Sequence, residues 1–80
     1  MSDIEPVLDV TQIAMHERHT IIFNQFDRME PGKSFILQND HDPRPLGFQF
    51  RFEREGEFSW EYLQKGPDVW KVRIGKLSKS

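Results

Sequence analysis

The stretch Asp42–Glu53, which reads Asp-Pro-Arg-Pro-Leu-Gly-Phe-Gln-Phe-Arg-Phe-Glu, decides the fold of this chain. Its second half alternates phenylalanine with other residues, and by that pattern alone it indicates a strand. Its beginning indicates a helix, because Asp42 is a residue type that caps helices and a first helical turn tolerates both prolines. A helix also gives the apolar residues consistent faces, with Leu46 beside Phe50. We therefore predict a helix over Arg44–Arg54.

The stretches on either side have clearer patterns. From Glu17 to Met29 apolar residues recur at spacings of three and four, which is typical of an amphipathic helix, and Pro31 with Gly32 ends it. Four short runs rich in β-branched or aromatic residues predict strands over residues 7–10, 34–38, 58–63 and 69–74. The last two of these strands form a hairpin.

The order strand, helix, strand, helix, strand, strand predicts a two-layer α/β sandwich with β-α-β-α-β-β topology. Its mixed four-stranded sheet carries both helices on one face, and the first strand-helix-strand unit makes the first two strands parallel. Eighty residues fit one domain, which we place at residues 7–75. Residues 1–6 and 76–80 are predicted to be flexible ends.

The hairpin has one packed face and one wet face, because both of its strands alternate apolar and polar residues. On the packed face we expect Trp60 and Trp70 to be buried against the helices. On the wet face Glu61 is expected to pair with Lys71 and Arg73 across the strands. That polar sheet face is a candidate surface for docking a protein.

Composition excludes several classes of function. With no cysteine, the chain has no thiol nucleophile, disulfide, iron–sulfur cluster or zinc–thiolate site. Eleven basic against thirteen acidic residues give a net charge of −2, which argues against nucleic acid as a partner. No apolar run approaches the roughly 20 residues of a membrane span, and the start of the chain has no signal-peptide character. We therefore expect a cytoplasmic protein with no membrane contact.

The loops that follow the first two strands carry the candidate site, because parallel strands bring their carboxyl ends to one edge of a sheet. All three histidines lie in these loops, and imidazoles suit a transition metal, so His16, His19 and His41 are the predicted metal ligands. The other predicted ligand-binding residues are Arg18, Asn39, Asp40, Asp42 and Arg44. Three outcomes stay open: a metal, an anion held by the arginines and helix N-termini, or aspartates that only cap the second helix.

Several stretches together resemble a known family. They are Leu8-Asp9-Val10, Asn39-Asp40-His41-Asp42-Pro43, Phe58-Ser59-Trp60-Glu61-Tyr62-Leu63 and Trp70-Lys71-Val72-Arg73-Ile74. The chain resembles the bacterial domain-of-unknown-function family twenty-two forty-nine over about residues 7 to 75. The resemblance implies a fold like that of the SirA and TusA sulfur carriers. It also implies a hemerythrin-like or redox protein as a partner and a setting in nitrogen-oxide or iron metabolism.

The chain departs from the sulfur carriers at their working residue. Those proteins use the cysteine of a Cys-Pro-x-Pro motif at the start of the first helix, where this chain reads Met15-His16-Glu17-Arg18-His19. Without a cysteine it cannot carry a persulfide, so the resemblance extends to the fold and not to that chemistry.

These observations predict a small binding or accessory module that recognises a metal ion, a small anion or a partner at the edge formed by residues 16–19 and 39–44. One alternative is a metal-dependent or proton-transfer enzyme with the same residues, although no nucleophile or oxyanion site is recognisable. Another is a pure protein-interaction domain that uses the polar sheet face. The sequence does not identify an oligomeric state or a specific ligand.

Overall fold

A computed structural model describes residues 5–78 of the chain. The elements are β1 (Val7–Asp9), α1 (Met15–Arg28), β2 (Ser34–Asn39), α2 (Arg44–Glu53), β3 (Phe58–Lys65) and β4 (Trp70–Lys76). The predicted order of six elements is confirmed, with boundaries shifted by a few residues. Residues 1–4 and 79–80, which belong to the ends predicted to be flexible, lie outside the described residues.

The four strands form one mixed sheet in the order β1-β2-β4-β3. Strand β1 pairs parallel to β2, while β4 pairs antiparallel to both β2 and β3. With two helices, this arrangement confirms the predicted α/β sandwich. The parallel pair matters for function, because it brings the ends of β1 and β2 together at one edge of the sheet.

Helix α2 resolves the conflict between the two patterns in its sequence. Phe50 is fully buried, whereas Phe52 is 89% exposed, and a strand would have put these two side chains on one face. The helix ends where the Arg54 N–H donates to the Phe50 carbonyl at 2.8 Å. Leu46 is buried beside Phe50, so the predicted helical face is the one that enters the core.

The core lies between the helices and one face of the sheet, and phenylalanine rings fill its centre. Phe50 stacks on Phe23 of α1 with ring centroids 4.3 Å apart, and it meets Phe26 edge-on at 5.2 Å. Beneath them are buried side chains of the two central strands, Phe35, Leu37, Val72 and Ile74. The helices are thus fixed to each other and to the sheet by aromatic contacts.

Two expectations about this core are corrected. Asp42 does not cap α2, because Pro43 occupies the N-cap position and no side chain there bonds to the backbone. Trp60 and Trp70 are both only half-buried; Trp60 packs against the core, whereas Trp70 is not among the side chains that do. Trp70 lies instead against Gly66 and donates from its indole nitrogen to the Pro67 carbonyl at 3.3 Å.

The other face of the sheet carries charges that pair with one another. The Arg73 guanidinium contacts Glu61 at 3.1 Å, as predicted, and it also contacts Glu5 at 2.6 Å. Lys71 has no ion pair with a residue in the described range 5–78, so the expected pairing holds for Arg73 only. Among the described residues, no helix is long and apolar enough to cross a membrane.

Candidate functional site

The site predicted from sequence lies where β1 and β2 end and both helices begin. After β1 the Asp9 carboxylate accepts bonds from the backbone N–H of Thr11 at 2.9 Å and from its hydroxyl at 2.6 Å, which fixes a tight turn. The N–H of Val10 donates to the Gln38 carbonyl at 3.1 Å and joins this turn to β2. The two loops are therefore held side by side.

Arg18 is the centre of this region, and it lies inside the protein. Together with Asn39 it is one of the two buried polar residues in the described part of the chain. Its Nε donates to the Ile13 carbonyl at 2.9 Å, and its Nη1 donates to Asn39 Oδ1 at 3.0 Å and to Asp40 Oδ1 at 3.3 Å. One guanidinium thus connects the start of α1 to the end of β2.

Asp40 and His41 form a second pair on top of this guanidinium. The Nδ1 atom of His41 lies 2.7 Å from Asp40 Oδ1, the same oxygen that Arg18 contacts. The hydrogen bond with His41 and then the one with Arg18 lower the pKa of the Asp40 carboxyl below its ordinary value. Asp40 is therefore ionised at neutral pH and orients the His41 ring.

A small cleft of about 60 Å³ opens beside this cluster. Its polar lining comes from Arg18, His19, Asn39 and His41, while the remaining walls are apolar and include Ile22 and Leu46. The structure therefore brings together four of the eight residues predicted for the site in one cleft. Asp40 supports it through its bonds to Arg18 and His41.

The other predicted residues lie elsewhere. His16 is exposed and does not line the cleft. Asp42 Oδ1 accepts a bond from the Tyr62 hydroxyl at 2.8 Å, and its other oxygen lies 3.7 Å from Arg44. Within residues 5–78 no group of three or more histidine, aspartate or glutamate side chains is arranged to hold a metal ion. The predicted site is thus divided into a cleft around Arg18 and a separate group around Asp42.

The sequence interpretation missed Tyr62 as a polar partner. Burial, and then its bond to the Asp42 carboxylate, raise the pKa of the Tyr62 hydroxyl above its ordinary value. The alternation of residues in the hairpin strand puts Tyr62 on the same face as Trp60, and a tyrosine on a packed face needs a partner for its hydroxyl. That requirement was the available signal, although it does not identify the partner.

Comparison with known proteins gives a family and no assigned activity. No curated protein and no solved structure matches the chain. A family described as an uncharacterised conserved protein, DUF2249, matches residues 7–76, which include every element of the fold and both loops of the cleft. The chain therefore belongs to the DUF2249 family.

Proposed function

We propose that this protein is a binding module that holds a small oxyanion in the cleft between the starts of α1 and α2. The observation that carries the proposal is the buried guanidinium of Arg18 in the cleft wall. Its bonds to described residues use Nε and Nη1 only. No buried nitrogen in that part of the chain lacks a partner, so Nη2 keeps contact with solvent and is available to donate to a ligand.

The surroundings of the cleft favour an anion over a cation. Both helices point their N-terminal ends toward it, and neither has a side-chain cap, so their free first N–H groups keep their partial positive charge. In α2 these are the N–H groups of Arg44 and Leu46 only, because Pro43 and Pro45 have none. His19 adds a ring nitrogen that donates in one tautomer, whereas the Nδ1–H of His41 is already used by Asp40. The nearby carboxylate of Asp40 is already engaged by Arg18 and His41.

The size of the cleft limits the ligand. A volume of about 60 Å³ is several times the ~10–15 Å³ that a cavity needs to hold one water molecule. An anion of three or four non-hydrogen atoms fits, which includes nitrite and formate. We propose nitrite first, because the family resemblance implies nitrogen-oxide metabolism. The proposal includes an accessory role beside a hemerythrin-like or redox protein in the cytoplasm.

Nitrite titration followed by NMR tests the proposal. We expect nitrite, at constant ionic strength, to shift the Arg18 Nε–H signal and the backbone amides of residues 15–19 and 39–46, whereas chloride does not. His19→Ala removes a lining side chain, and we expect it to weaken nitrite binding about threefold to tenfold, the range for one lost hydrogen bond. His16→Ala is the matched control, since His16 lies on the same helix outside the cleft. Equal effects of the two variants, or equal shifts with chloride, contradict the proposal.

A second candidate function is proton transfer, and the Asp40–His41 pair favours it. A carboxylate at 2.7 Å from Nδ1 fixes the tautomer of the ring and leaves Nε2 free to accept a proton. His41 is half exposed, so a substrate can reach it. The test is a panel of weak carbon acids. Turnover of one of these compounds by the wild type and by His16→Gln, but not by His41→Gln, supports this function, and the absence of any turnover contradicts it.

A further inference from the structure

A second and larger groove lies between α2 and β3. Its volume is about 380 Å³, and it shares no lining residue with the cleft around Arg18. The side of α2 that faces away from the core supplies one wall, with Arg44, Gly47, Phe48 and Arg51 at helical spacings of three and four. The edge strand β3 supplies the floor, with Phe58, Trp60 and Tyr62 at alternate positions.

The absence of a side chain at Gly47 allows Trp60 to form this floor. A Cβ atom at residue 47 would lie 3.2 Å from Trp60 Cζ2 and 3.3 Å from Cε2, closer than ordinary contact. The indole therefore rests against the backbone of α2. Its other neighbours are Phe50, with ring centroids 6.1 Å apart, and Tyr62, edge-on at 6.2 Å. These contacts hold the floor in place before any ligand arrives, which lowers the entropic cost of binding.

Two arginines supply the charge of the groove. Arg44 and Arg51 are its only charged lining residues within the described chain, although the protein as a whole carries a net charge of −2. Arg44 is 3.7 Å from Asp42, and its side chain is 70% exposed. Arg51 has no carboxylate within 4.0 Å among residues 5–78. Glu55 lies in an adjoining depression of about 490 Å³, which shares Phe48, Arg51 and Phe58 with the groove. The groove thus combines an aromatic floor with the positive charge of Arg51, which has no ion pair among the described residues.

We propose that this groove binds a small aromatic carboxylate, with its ring on Trp60 and its carboxylate on the Arg51 guanidinium. Aromatic rings stack favourably on an indole, and the guanidinium fork matches two carboxylate oxygens. Arg44 lies about 10 Å from Arg51 along the helix and adds to the attraction for an anion. A volume of about 380 Å³ is within the range of small-molecule sites and accommodates a bicyclic acid.

Three indole compounds with short side chains of different charge test the proposal: indoleacetate, neutral indoleacetamide and cationic tryptamine. We expect indoleacetate to shift amides of residues 44–51 and 58–62 and to bind at least about tenfold more tightly than indoleacetamide, because its bond to arginine is charge-assisted. Tryptamine is expected to bind most weakly. Equal affinities for the acid and the amide would overturn the proposal.

Two arginine variants locate the charge. Arg51→Gln is expected to weaken indoleacetate binding about tenfold and to leave indoleacetamide unchanged. Arg28→Gln makes the same change in net charge at the far end of α1, outside the groove, and is expected to have no effect. A similar loss in both variants would mean nonspecific attraction and would refute the site. Both side chains are exposed, and a thermal melt of each variant checks that it folds.

Gly47→Ala is the test of the floor. The added methyl pushes on the Trp60 ring, and we expect weaker binding of both indoleacetate and indoleacetamide. Unchanged binding of both compounds would show that the ring of the ligand does not rest on Trp60. Shifts of residues 44–51 and 58–62 with protein concentration and no ligand would identify a second copy of the chain as the occupant, and this also overturns the proposal.

Discussion

Replacement of Phe50 by alanine is the most direct test of how this fold is built. Phe50 is fully buried and contacts the rings of Phe23, Phe26, Phe58 and Trp60. Removal of a buried phenylalanine side chain costs about 3–5 kcal/mol, and the loss of four ring contacts puts this case toward the upper end. A domain of this length has a total stability of about 4–12 kcal/mol, so the variant loses a third or more of it.

Phe52→Ala is the matched control two residues along the same helix. Phe52 is 89% exposed, and its removal is expected to change the free energy of unfolding by less than about 0.5 kcal/mol. Urea unfolding followed by circular dichroism gives both values. For a domain of this size each 1 kcal/mol corresponds to about 6 °C in Tm, so the two variants differ by more than about 15 °C. Similar losses for both would refute the helix, because in a strand Phe50 and Phe52 share one face.

Three further predictions use other parts of the molecule. Gly66→Ala puts a methyl 2.8 Å from the Trp70 ring at a φ of +67°, and we expect the free energy of unfolding in urea to fall by about 2–3 kcal/mol. Gly56→Ala, at a φ of +76° in open space, is the control and is expected to lose about 1 kcal/mol; equal losses contradict the role of the contact with Trp70. The hydrogen bond from Arg54 lowers the pKa of Asp27 below 3.8, so this pair stabilises the protein above about pH 4 and loses its effect as the pH falls through the lowered pKa. The difference in unfolding free energy between wild type and Arg54→Gln should therefore become smaller in acid. A difference that does not change with pH contradicts the role of the pair. With no cysteine, the chain should gain no sulfur from a persulfide donor, and a reducible gain of one sulfur atom in its intact mass contradicts this.

The elements of the fold were predictable because each has a local signal. Hydrophobic periodicity, prolines and glycines predicted all six elements in order. For α2, the expected Asp42 cap together with two tolerated prolines favoured a helix over the strand that the alternating pattern indicates. Asp42 shows the limit of such signals. Its residue type fits a cap, yet its carboxylate bonds to Tyr62, twenty positions away, and only the packing of α2 on β3 brings the two together.

The candidate site was partly predictable for a similar reason. Parallel pairing of β1 and β2 put both loops at one edge, and four predicted residues do line one cleft. The sequence of α1 does contain a signal that Arg18 is buried. Arg18 precedes Ile22 by four residues and Phe26 by eight, so it lies on the apolar stripe of α1, whereas His16 lies outside that stripe. A charged residue on such a stripe must find buried partners, and the carbonyl of Ile13 with the oxygens of the loop after β2 are those within reach.

The aromatic groove is explained by the small size of the domain rather than by a sequence motif. The sequence has seven phenylalanines, two tryptophans and one tyrosine, but only four phenylalanines are buried in the described structure. A ten-residue helix is about 15 Å long, while the eight-residue strand β3 extends about 26 Å, so α2 cannot cover all of its apolar face. Small domains bury only about 60% of the surface that the unfolded chain exposes, so some aromatic surface has to remain open. Here the aromatic side chains Phe48, Phe58, Trp60 and Tyr62 line one groove beside Arg51, and this is why we expect the groove to bind a ligand.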